Sequence, residues 1–370
     1  MGTELSKLRK RIDEIDEALL GLLKERLEVA KRIGAEKDAL GLPIRDPGRE
    51  DEVLAKARRR AEDLGLNPEV VEKVFRSIIE LSIACQGRVS KVAYLGPRGT
   101  HTEEAAKEYF GTGGTEFRPY WTVEEVFRAV DSGETDWGIV PVENSLEGSV
   151  PATLSLLLDS SLLICGEIER RIRHCLLASP GTRLEDIRIV FSHPQALMQC
   201  KRFLETILPK AEKREVSSTA KAVEMAKSTP MAAAIGTEAS AQLYGMEILA
   251  KGIEDHPNNY TRFLVIGRKR PPRTGNDKTS LIFSVPNVPG ALHGALGSFA
   301  LRNINLVKVE SRPTKGKPWE YIFYVDFEGH LDDQKCKEAL EELKSKTSFL
   351  KVLGSYPKHK ASIQDSLRLF

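Results

Sequence analysis

The chain has 370 residues, with 55 Lys and Arg against 53 Asp and Glu and a formal charge of +2. That balance, with no basic block, argues against a nucleic-acid partner, and 41% apolar with 29% charged residues describes an ordinary globular protein of two or three domains. No stretch approaches the roughly 18 apolar residues of a membrane helix, the start MGTELSKLRKRIDEIDEALL is too charged for a secretory signal, and five scattered cysteines without a CxxC pair point to neither a zinc site nor a disulfide framework. A cytoplasmic, multidomain protein using no metal and no cofactor is expected, with no membrane contact.

The first 88 residues read as helix alone. Leu5, Leu8, Ile12, Ile15, Leu19, Leu22, Val29, Ile33 and Leu40 recur at helical spacing with no proline before Pro43. This predicts one helix of about 35 residues, hence about 50 Å long, whose apolar stripe needs a partner. A second helix spans Arg45 to Gly65, interrupted near Pro47-Gly48. A third opens at Asn67-Pro68 and runs to about Gln86.

Polar residues interrupt these stripes. Stepping by seven from Leu5 reaches Arg26, and the stripe Val71, Phe75, Ile78 continues into Ser82 and Gln86. A guanidinium on an apolar face needs an anion or a solvent-reaching stem. Asp46 and Glu50 lie one turn apart with Arg49 beside them. Each feature alone is as readily a structural ion pair or a solvated face. Together with Arg9 and Lys37 they describe a polar pocket inside a helical bundle, suited to a small dianion bearing a hydroxyl. Arg26 and Lys37 are three turns apart, roughly 16 Å, whereas Arg9 is about 26 Å from Arg26 along the same rod. If Arg9 belongs to the pocket it comes from a second chain, and an antiparallel pairing of the long helices would cover the stripe.

From Lys91 the pattern alternates. Short apolar strands at Lys91–Leu95, Gly138–Val142, Ile187–Phe191, Ala232–Ile235 and Phe263–Ile266 are separated by helix-like segments, which predicts a two-lobed α/β domain with largely parallel sheets and a cleft. A polar linker, Arg268 to Lys278, follows. The tail reads βαββαβ from Thr279 to Gly354, ferredoxin-like, with a helix-free sheet face of the kind that commonly pairs with another copy. Polar clusters follow the middle strands: Glu143-Asn144-Ser145, Ser192-His193-Pro194-Gln195, Ser217-Ser218-Thr219 and Asn259-Tyr260-Thr261-Arg262-Phe263. Ser218-Thr219 is equally read as a helix cap.

These stretches carry three resemblances. LRKRID, LLKERLEVAKRIGAEK, PIRDPGRE and IIELSIACQ resemble the all-helical chorismate mutase domain, an intertwined dimer, over residues 1–90. That resemblance implies that Arg26 and a partner chain's Arg9 hold substrate carboxylates. It implies that Lys37 and Gln86 hydrogen-bond the ether oxygen, that Asp46 and Glu50 face the hydroxyl, and that Arg49 and Ser82 complete the pocket. GPRGT, VPVENSLEGSV, FSHPQALMQC, SSTA and NNYTRF resemble prephenate dehydratase over residues 91–268. By that likeness Thr261 protonates or hydrogen-bonds the departing ring hydroxyl, Glu143, Asn144, Ser145, Gln199, Ser218 and Thr219 shape the cleft, and Arg262 supports the loop. Residues 279–358 resemble the ACT regulatory domain, through Asn287, Pro289, Gly290, Ala291, Leu292 and His293 and the run Glu310-Ser311-Arg312-Pro313. This implies an L-phenylalanine site at a dimer interface.

Together the resemblances imply a bifunctional chorismate mutase–prephenate dehydratase inhibited by its end product, with chorismate, prephenate and L-phenylalanine as small-molecule partners and a homodimer or higher homo-oligomer as the assembly. Two alternatives stay open at this stage. One is a dehydratase for prephenate or arogenate carrying an inactive or regulatory mutase domain. The other is a non-catalytic two-lobed amino-acid sensor.

Overall fold

A computed structural model describes residues 4–39, 47–87, 89–314 and 321–359. The chain divides into two compact units, Met1–Lys91 with Phe110–Glu116, and Val92–Tyr109 with Phe117–Phe370.

The first unit holds α1 (Glu4–Ala39), α2 (Pro47–Asp63) and α3 (Pro68–Ala84). The long helix runs 36 residues. Proline at the first position starts α2, where its missing N–H costs nothing, so the expected interruption at Pro47 is a helix start. Asn67 caps α3, accepting from the amides of Glu69 at 2.9 Å and Val70 at 3.2 Å. Leu54 of α2 packs on Ile79 and Ile83 of α3. The face of α1 turned to α3 is the row Arg26, Ala30, Gly34, Lys37, each one turn from the next. Ala30 is buried, and a Cβ placed on Gly34 would lie 2.6 Å from Gln86 Cβ and its carbonyl oxygen. Glycine is therefore what lets the two backbones meet. The other apolar row of α1 is bare: Leu5, Leu8, Ile12, Ile15 and Leu19 are each about half exposed or more, between 47% and 57%.

The second unit begins with a lobe built on β1 (Ser90–Leu95), α4 (His101–Phe110), β2 (Thr115–Tyr120), α5 (Val123–Asp131), β3 (Trp137–Asn144), β4 (Gly148–Ser149), α6 (Pro151–Asp159) and β5 (Leu163–Arg171). The chain crosses to a second lobe made of β6 (Cys175–Ala178), β7 (Ile189–Ser192), α7 (Pro194–Gln199), α8 (Lys201–Ile207), β8 (Glu212–Glu215), α9 (Thr219–Ser228), β9 (Ala232–Gly236), α10 (Glu238–Tyr244) and β10 (Glu247–Lys251). It then returns to the first lobe through β11 (Tyr260–Gly267). The strand orders are β2-β1-β3-β11-β5 and β10-β6-β9-β7-β8. Both sheets are mixed, which corrects the largely parallel expectation. β11 runs antiparallel to both neighbours because it re-enters from the other lobe, and β6 is antiparallel to β9 and β10.

The remainder is β12 (Asp277–Ser284), α11 (Ala291–Ala300), β13 (Leu306–Pro313), β14 (Tyr321–Glu328), α12 (Gln334–Lys346) and β15 (Phe349–Pro357), a four-stranded antiparallel sheet in the order β13-β14-β12-β15. Leu281, Phe283, Val325 and Phe327 pack on its own helices. The opposite face is covered within the same chain: Ile282, Ile322, Tyr324, Leu353 and Tyr356 share a core with Leu154, Leu157, Ile164 and Leu264 of the first lobe. This corrects the expectation of a helix-free face open for a second copy. Those apolar side chains are buried against the lobe instead. Lys351 reinforces the contact by donating to the carbonyls of Leu157, Leu158 and Ser160 at 2.9, 2.7 and 2.6 Å, where α6 ends with unsatisfied acceptors.

Within this shared core lies a buried ion cluster. Arg262 of β11 donates to Glu167 at 2.8 Å, to Asp326 at 2.7 Å and to the Tyr356 hydroxyl at 3.0 Å. Lys278 meets Glu167 at 2.8 Å, and Ser280 reaches Asp326 at 2.5 Å and Tyr356 at 2.6 Å. Burial alone would pull Arg262 down, yet Tyr356, Asp326 and Glu167 around it hold its pKa well above the ordinary value. Two cations offset two carboxylates. Removing one member leaves a buried charge without its partner, at a cost of about 3–5 kcal/mol.

Asp326→Ala strands Arg262 and lowers unfolding free energy by about 3–5 kcal/mol in urea titration of the full chain; a loss below ~1 kcal/mol contradicts the cluster. Gly34→Ala forces α1 from α3 and costs about 1–3 kcal/mol, read as an earlier thermal transition, and an unchanged transition contradicts the close approach.

Candidate functional site

The helical unit brings together several of the expected pocket residues. Arg26, half-buried, donates to the Ser82 hydroxyl and to the Ile78 carbonyl, the latter at 3.3 Å, while Ser82 donates to the same carbonyl at 2.7 Å. Burial lowers the Arg26 pKa. Gln86 sits against Gly34, and its buried amide oxygen has no hydrogen-bond partner among the described residues. Lys37 follows one turn beyond Gly34 and is half-buried, as is Glu50 in the first turn of α2. Arg49 instead faces solvent and pairs with Glu52 at 2.7 Å. Arg9 lies exposed on the distant part of α1. Asp46 lies outside the described residues. Gly34 is the residue that sequence reasoning passed over; a glycine on the face shared by Arg26 and Lys37 was its signal.

In the second unit the site forms where the chain leaves β3 and enters β11. Asn144 donates to Thr261 Oγ1 at 2.9 Å and to Asn259 Oδ1 at 2.7 Å, and its own Oδ1 accepts from the amides of Leu146 at 3.0 Å and Glu147 at 3.2 Å. Those two amides fix the carboxamide orientation, so Asn144 presents N–H to Thr261. The Thr261 oxygen accepts, leaving its own proton to be given elsewhere.

A bulge makes this pairing possible. Between Arg262 and Phe263 the β11–β3 register shifts: Phe263 lies opposite Pro141, yet Arg262 lies opposite Glu143 and Thr261 opposite Asn144. Without the additional residue in β3, Thr261 would face Glu143. A bulge beside a functional residue re-aims side chains in this way.

The same geometry separates other expected site residues from Thr261. Arg262, adjacent on the strand, points to the opposite face and into the buried ion cluster. Glu143 meets Lys308 of β13 at 2.8 Å. Lys308 also binds Ser149 at 2.9 Å and Glu310 at 3.2 Å. Both residues thus face the ACT-like sheet rather than the side of the sheet that carries Thr261 and Asn144. Ser145 fastens the site: its hydroxyl donates to the Asn258 carbonyl at 3.0 Å and accepts from the Tyr260 amide at 2.9 Å. Gln199 joins the network, its Oε1 accepting from Asn259 at 3.1 Å and its Nε2 donating to Glu147 at 2.8 Å. Ser218 caps α9 by accepting from the Lys221 amide at 3.0 Å, and Thr219 is the first residue of that helix. Glu147, Asn259 and His174 are members of the network that sequence reasoning did not assign to the site. A cleft of about 480 Å³ lies between the Gly96–Arg98 loop and Leu243-Tyr244, and none of its lining residues belongs to the Thr261 network.

In the C-terminal sheet, Gly290 takes a left-handed conformation (φ +80°) and opens α11, with Asn287, Pro289 and His293 exposed around it and Ala291 and Leu292 half-buried. On β13, Glu310 and Arg312 alternate with exposed Ser311. Glu310 accepts from Ser149, and Arg312 reaches the Pro151 carbonyl at 3.4 Å, so this pair faces the first lobe. Among the described residues no helix is long and apolar enough to cross a membrane, and no group of three or more His, Cys, Asp and Glu side chains is arranged to hold a metal.

Comparison with known proteins agrees with this division. Residues 8–87 match the chorismate mutase type II family, 92–271 the prephenate dehydratase family and 279–345 the ACT domain. A bifunctional chorismate mutase/prephenate dehydratase from Aquifex aeolicus is 46% identical over 358 residues, covering 96% of this chain and 98% of that protein. Among solved structures, a prephenate dehydratase from Arthrobacter aurescens in complex with L-Phe is similar with TM-score 0.67 and 36% identity, over 72% of this chain and 89% of that one. A quorum-quenching acylase is similar with TM-score 0.67 and 32% identity, over 73% and 98%. The chain belongs to the bifunctional chorismate mutase/prephenate dehydratase family.

Proposed function

We propose that the chain converts chorismate to prephenate in its helical unit and prephenate to phenylpyruvate at Thr261, and that L-phenylalanine binding to the C-terminal sheet restrains the second step. The observation that carries the reading is the Asn144–Thr261 hydrogen bond, because it gives a weak acid a defined task.

The mutase step is a pericyclic rearrangement that breaks a C–O bond and needs no nucleophile. The protein's part is to hold a compact conformer and to stabilise charge developing on the ether oxygen. Arg26 holds a carboxylate, Lys37 and Gln86 donate to the ether oxygen, and Glu50 faces the hydroxyl, with Ser82 positioning Arg26. Asp46 faces the hydroxyl with Glu50, and Arg49, paired with Glu52 on the exposed side of α2, completes the pocket with Ser82. Arg9 is supplied by a second copy. Support for that copy comes from the bare row Leu5, Leu8, Ile12, Ile15 and Leu19: a second α1 laid antiparallel would bury it and carry Arg9 toward the partner's Arg26. The assembly is therefore a homodimer at least.

In the dehydratase step, loss of CO₂ from the ring and departure of the ring hydroxyl as water leave an aromatic product. Aromatisation supplies driving force, so one placed proton donor suffices. Thr261 gives its proton to the leaving hydroxyl, and the Asn144 N–H stabilises the charge left on Oγ1. Ser145 and Gln199 hold this geometry, while Ser218 and Thr219 border the site at the start of α9. Glu143 and Arg262 act from the far face of the sheet by tying it to the effector sheet. The acylase likeness does not favour acyl transfer here. A threonine nucleophile needs an adjacent base, and the group beside Thr261 Oγ1 is a donor amide. For the effector, Gly290 and its neighbours offer backbone groups at the start of α11, with Glu310, Ser311 and Arg312 on β13.

The test is a pair of variants assayed for both steps. Lys37→Ala lowers mutase turnover by at least ~10²-fold and leaves prephenate conversion intact. Thr261→Ala abolishes prephenate conversion and leaves the mutase intact, and sedimentation of the unmodified chain gives a dimer or larger. Near-native turnover of either variant in its own step, or a monomer with full mutase activity, contradicts the assignment.

A further inference from the structure

The chain passes between the lobes of the dehydratase region twice, at residues 172–174 and 252–259, and the two crossings are bonded to each other. The Ile172 amide donates to the Asn259 carbonyl at 2.8 Å, and the Ile253 amide to the His174 carbonyl at 3.2 Å. Side chains of both crossings meet there. His174 Nε2 lies 2.9 Å from Gln199 Oε1, the oxygen that also accepts from Asn259. All three residues are buried, at 3%, 9% and 0% exposure for His174, Gln199 and Asn259.

The donor and acceptor roles along this path admit one solution. The Glu147 carboxylate can only accept, so Gln199 turns its NH₂ toward Glu147 and its oxygen inward. That oxygen takes N–H from Asn259, whose own oxygen takes N–H from Asn144, whose orientation the Leu146 and Glu147 amides fix. The remaining contact on Gln199 Oε1 must then be a donor, which makes His174 the Nε2–H tautomer with Nδ1 bare. His174 Nδ1 has no hydrogen-bond partner among the described residues. Burial, together with His101 whose ring stands edge-on at 5.7 Å, pushes the His174 pKa down to about 4, so the imidazole is neutral at ordinary pH.

We infer that His174 is a positioning residue for the dehydratase reaction: its Nε2–H locks Gln199, and through Asn259 and Asn144 holds the Thr261 hydroxyl with its proton directed outward. Without that donor, Gln199 Oε1 keeps only the Asn259 hydrogen bond in a buried site, which loosens the seat of Gln199 and, through it, the placement of Asn259 against Asn144. Because Asn259 and His174 stand on the two crossings, the same path ties the aim of Thr261 to the seating of one lobe on the other. This inference rests on Thr261 being the proton donor proposed above.

The test is a double-mutant cycle on the full chain with prephenate as substrate, accompanied by thermal unfolding of each variant. His174→Leu lowers kcat by roughly 10–100-fold with KM within about 3-fold, the scale of a misplaced reacting group. His174→Gln, which returns an N–H near the Nε2 position, recovers most of the loss. In the Asn144→Ala background, where the path is already cut, His174→Leu costs less than about 3-fold more. A role confined to stability predicts the opposite pattern: losses that multiply, no rescue by Gln, and a kcat that follows the fraction folded. Any of these, or an unchanged kcat in His174→Leu, overturns the inference. Should His174→Leu not fold, His174→Asn, too short to reach Gln199, takes its place in the cycle. Failure of the underlying reading is distinguishable: a Thr261→Ala variant that still turns over prephenate refutes Thr261 as donor, whereas an inactive Thr261→Ala beside a native-like His174→Leu refutes the role of His174 alone.

Discussion

The ion cluster around Arg262 sets the terms for the larger unit. Strand side chains alternate between faces, so adjacent residues of β11 serve opposite tasks: Thr261 turns to Asn144, and Arg262 turns into a pocket closed by Glu167, Asp326 and Tyr356. Glu167 belongs to β5, whereas Asp326 and Tyr356 come from the C-terminal sheet. A buried guanidinium that loses a partner costs several kcal/mol, so seating of the C-terminal sheet stabilises β11 where it lies between β3 and β5. An effector sheet that shares a core and a charge cluster with the strand carrying the proposed proton donor is placed to influence it. Glu143, bonded to Lys308 and one residue before Asn144, forms a second tie across the same boundary.

The opposite face of that sheet is governed by hydrogen-bond polarity rather than by charge. From His174 to Thr261 every group is a neutral amide, imidazole or hydroxyl, and each is oriented by a neighbour that can play only one role. Such a chain loses little by being buried because, His174 Nδ1 apart, its members are satisfied within it. Its consequence for chemistry is directional. A threonine hydroxyl is a poor acid, but one whose oxygen already accepts a hydrogen bond has its proton free for a leaving group.

The long helix, the βαββαβ tail and the approximate strand positions were readable from periodicity and turn residues, and Arg26, Ser82 and Gln86 stood out as polar residues on apolar faces. Other features left little trace in the sequence. The β3 bulge adds one residue to a strand and changes no local composition, yet it decides that Asn144 rather than Glu143 faces Thr261. The antiparallel course of β11 depends on the chain returning from another lobe, which no local pattern records. Arg262 beside Thr261 reads as support for a loop because the apolar run begins only at Phe263, whereas β11 starts at Tyr260 and alternation sends the two side chains to opposite faces. Gly34 and His174 were single residues whose meaning lies in distant partners. The apolar face of the C-terminal sheet was visible, but what covers it was decided by Leu154, Leu157 and Leu264 in another domain.

The central claim is that one chain performs two successive reactions and that its C-terminal sheet governs the second through the β11 strand. The direct measurement supplies chorismate to the full-length protein and follows prephenate and phenylpyruvate together while L-phenylalanine is titrated. The account predicts phenylpyruvate without effector, and falling phenylpyruvate with accumulating prephenate as effector rises. Phenylpyruvate formation that is indifferent to saturating L-phenylalanine, or prephenate as the sole product in its absence, would contradict it.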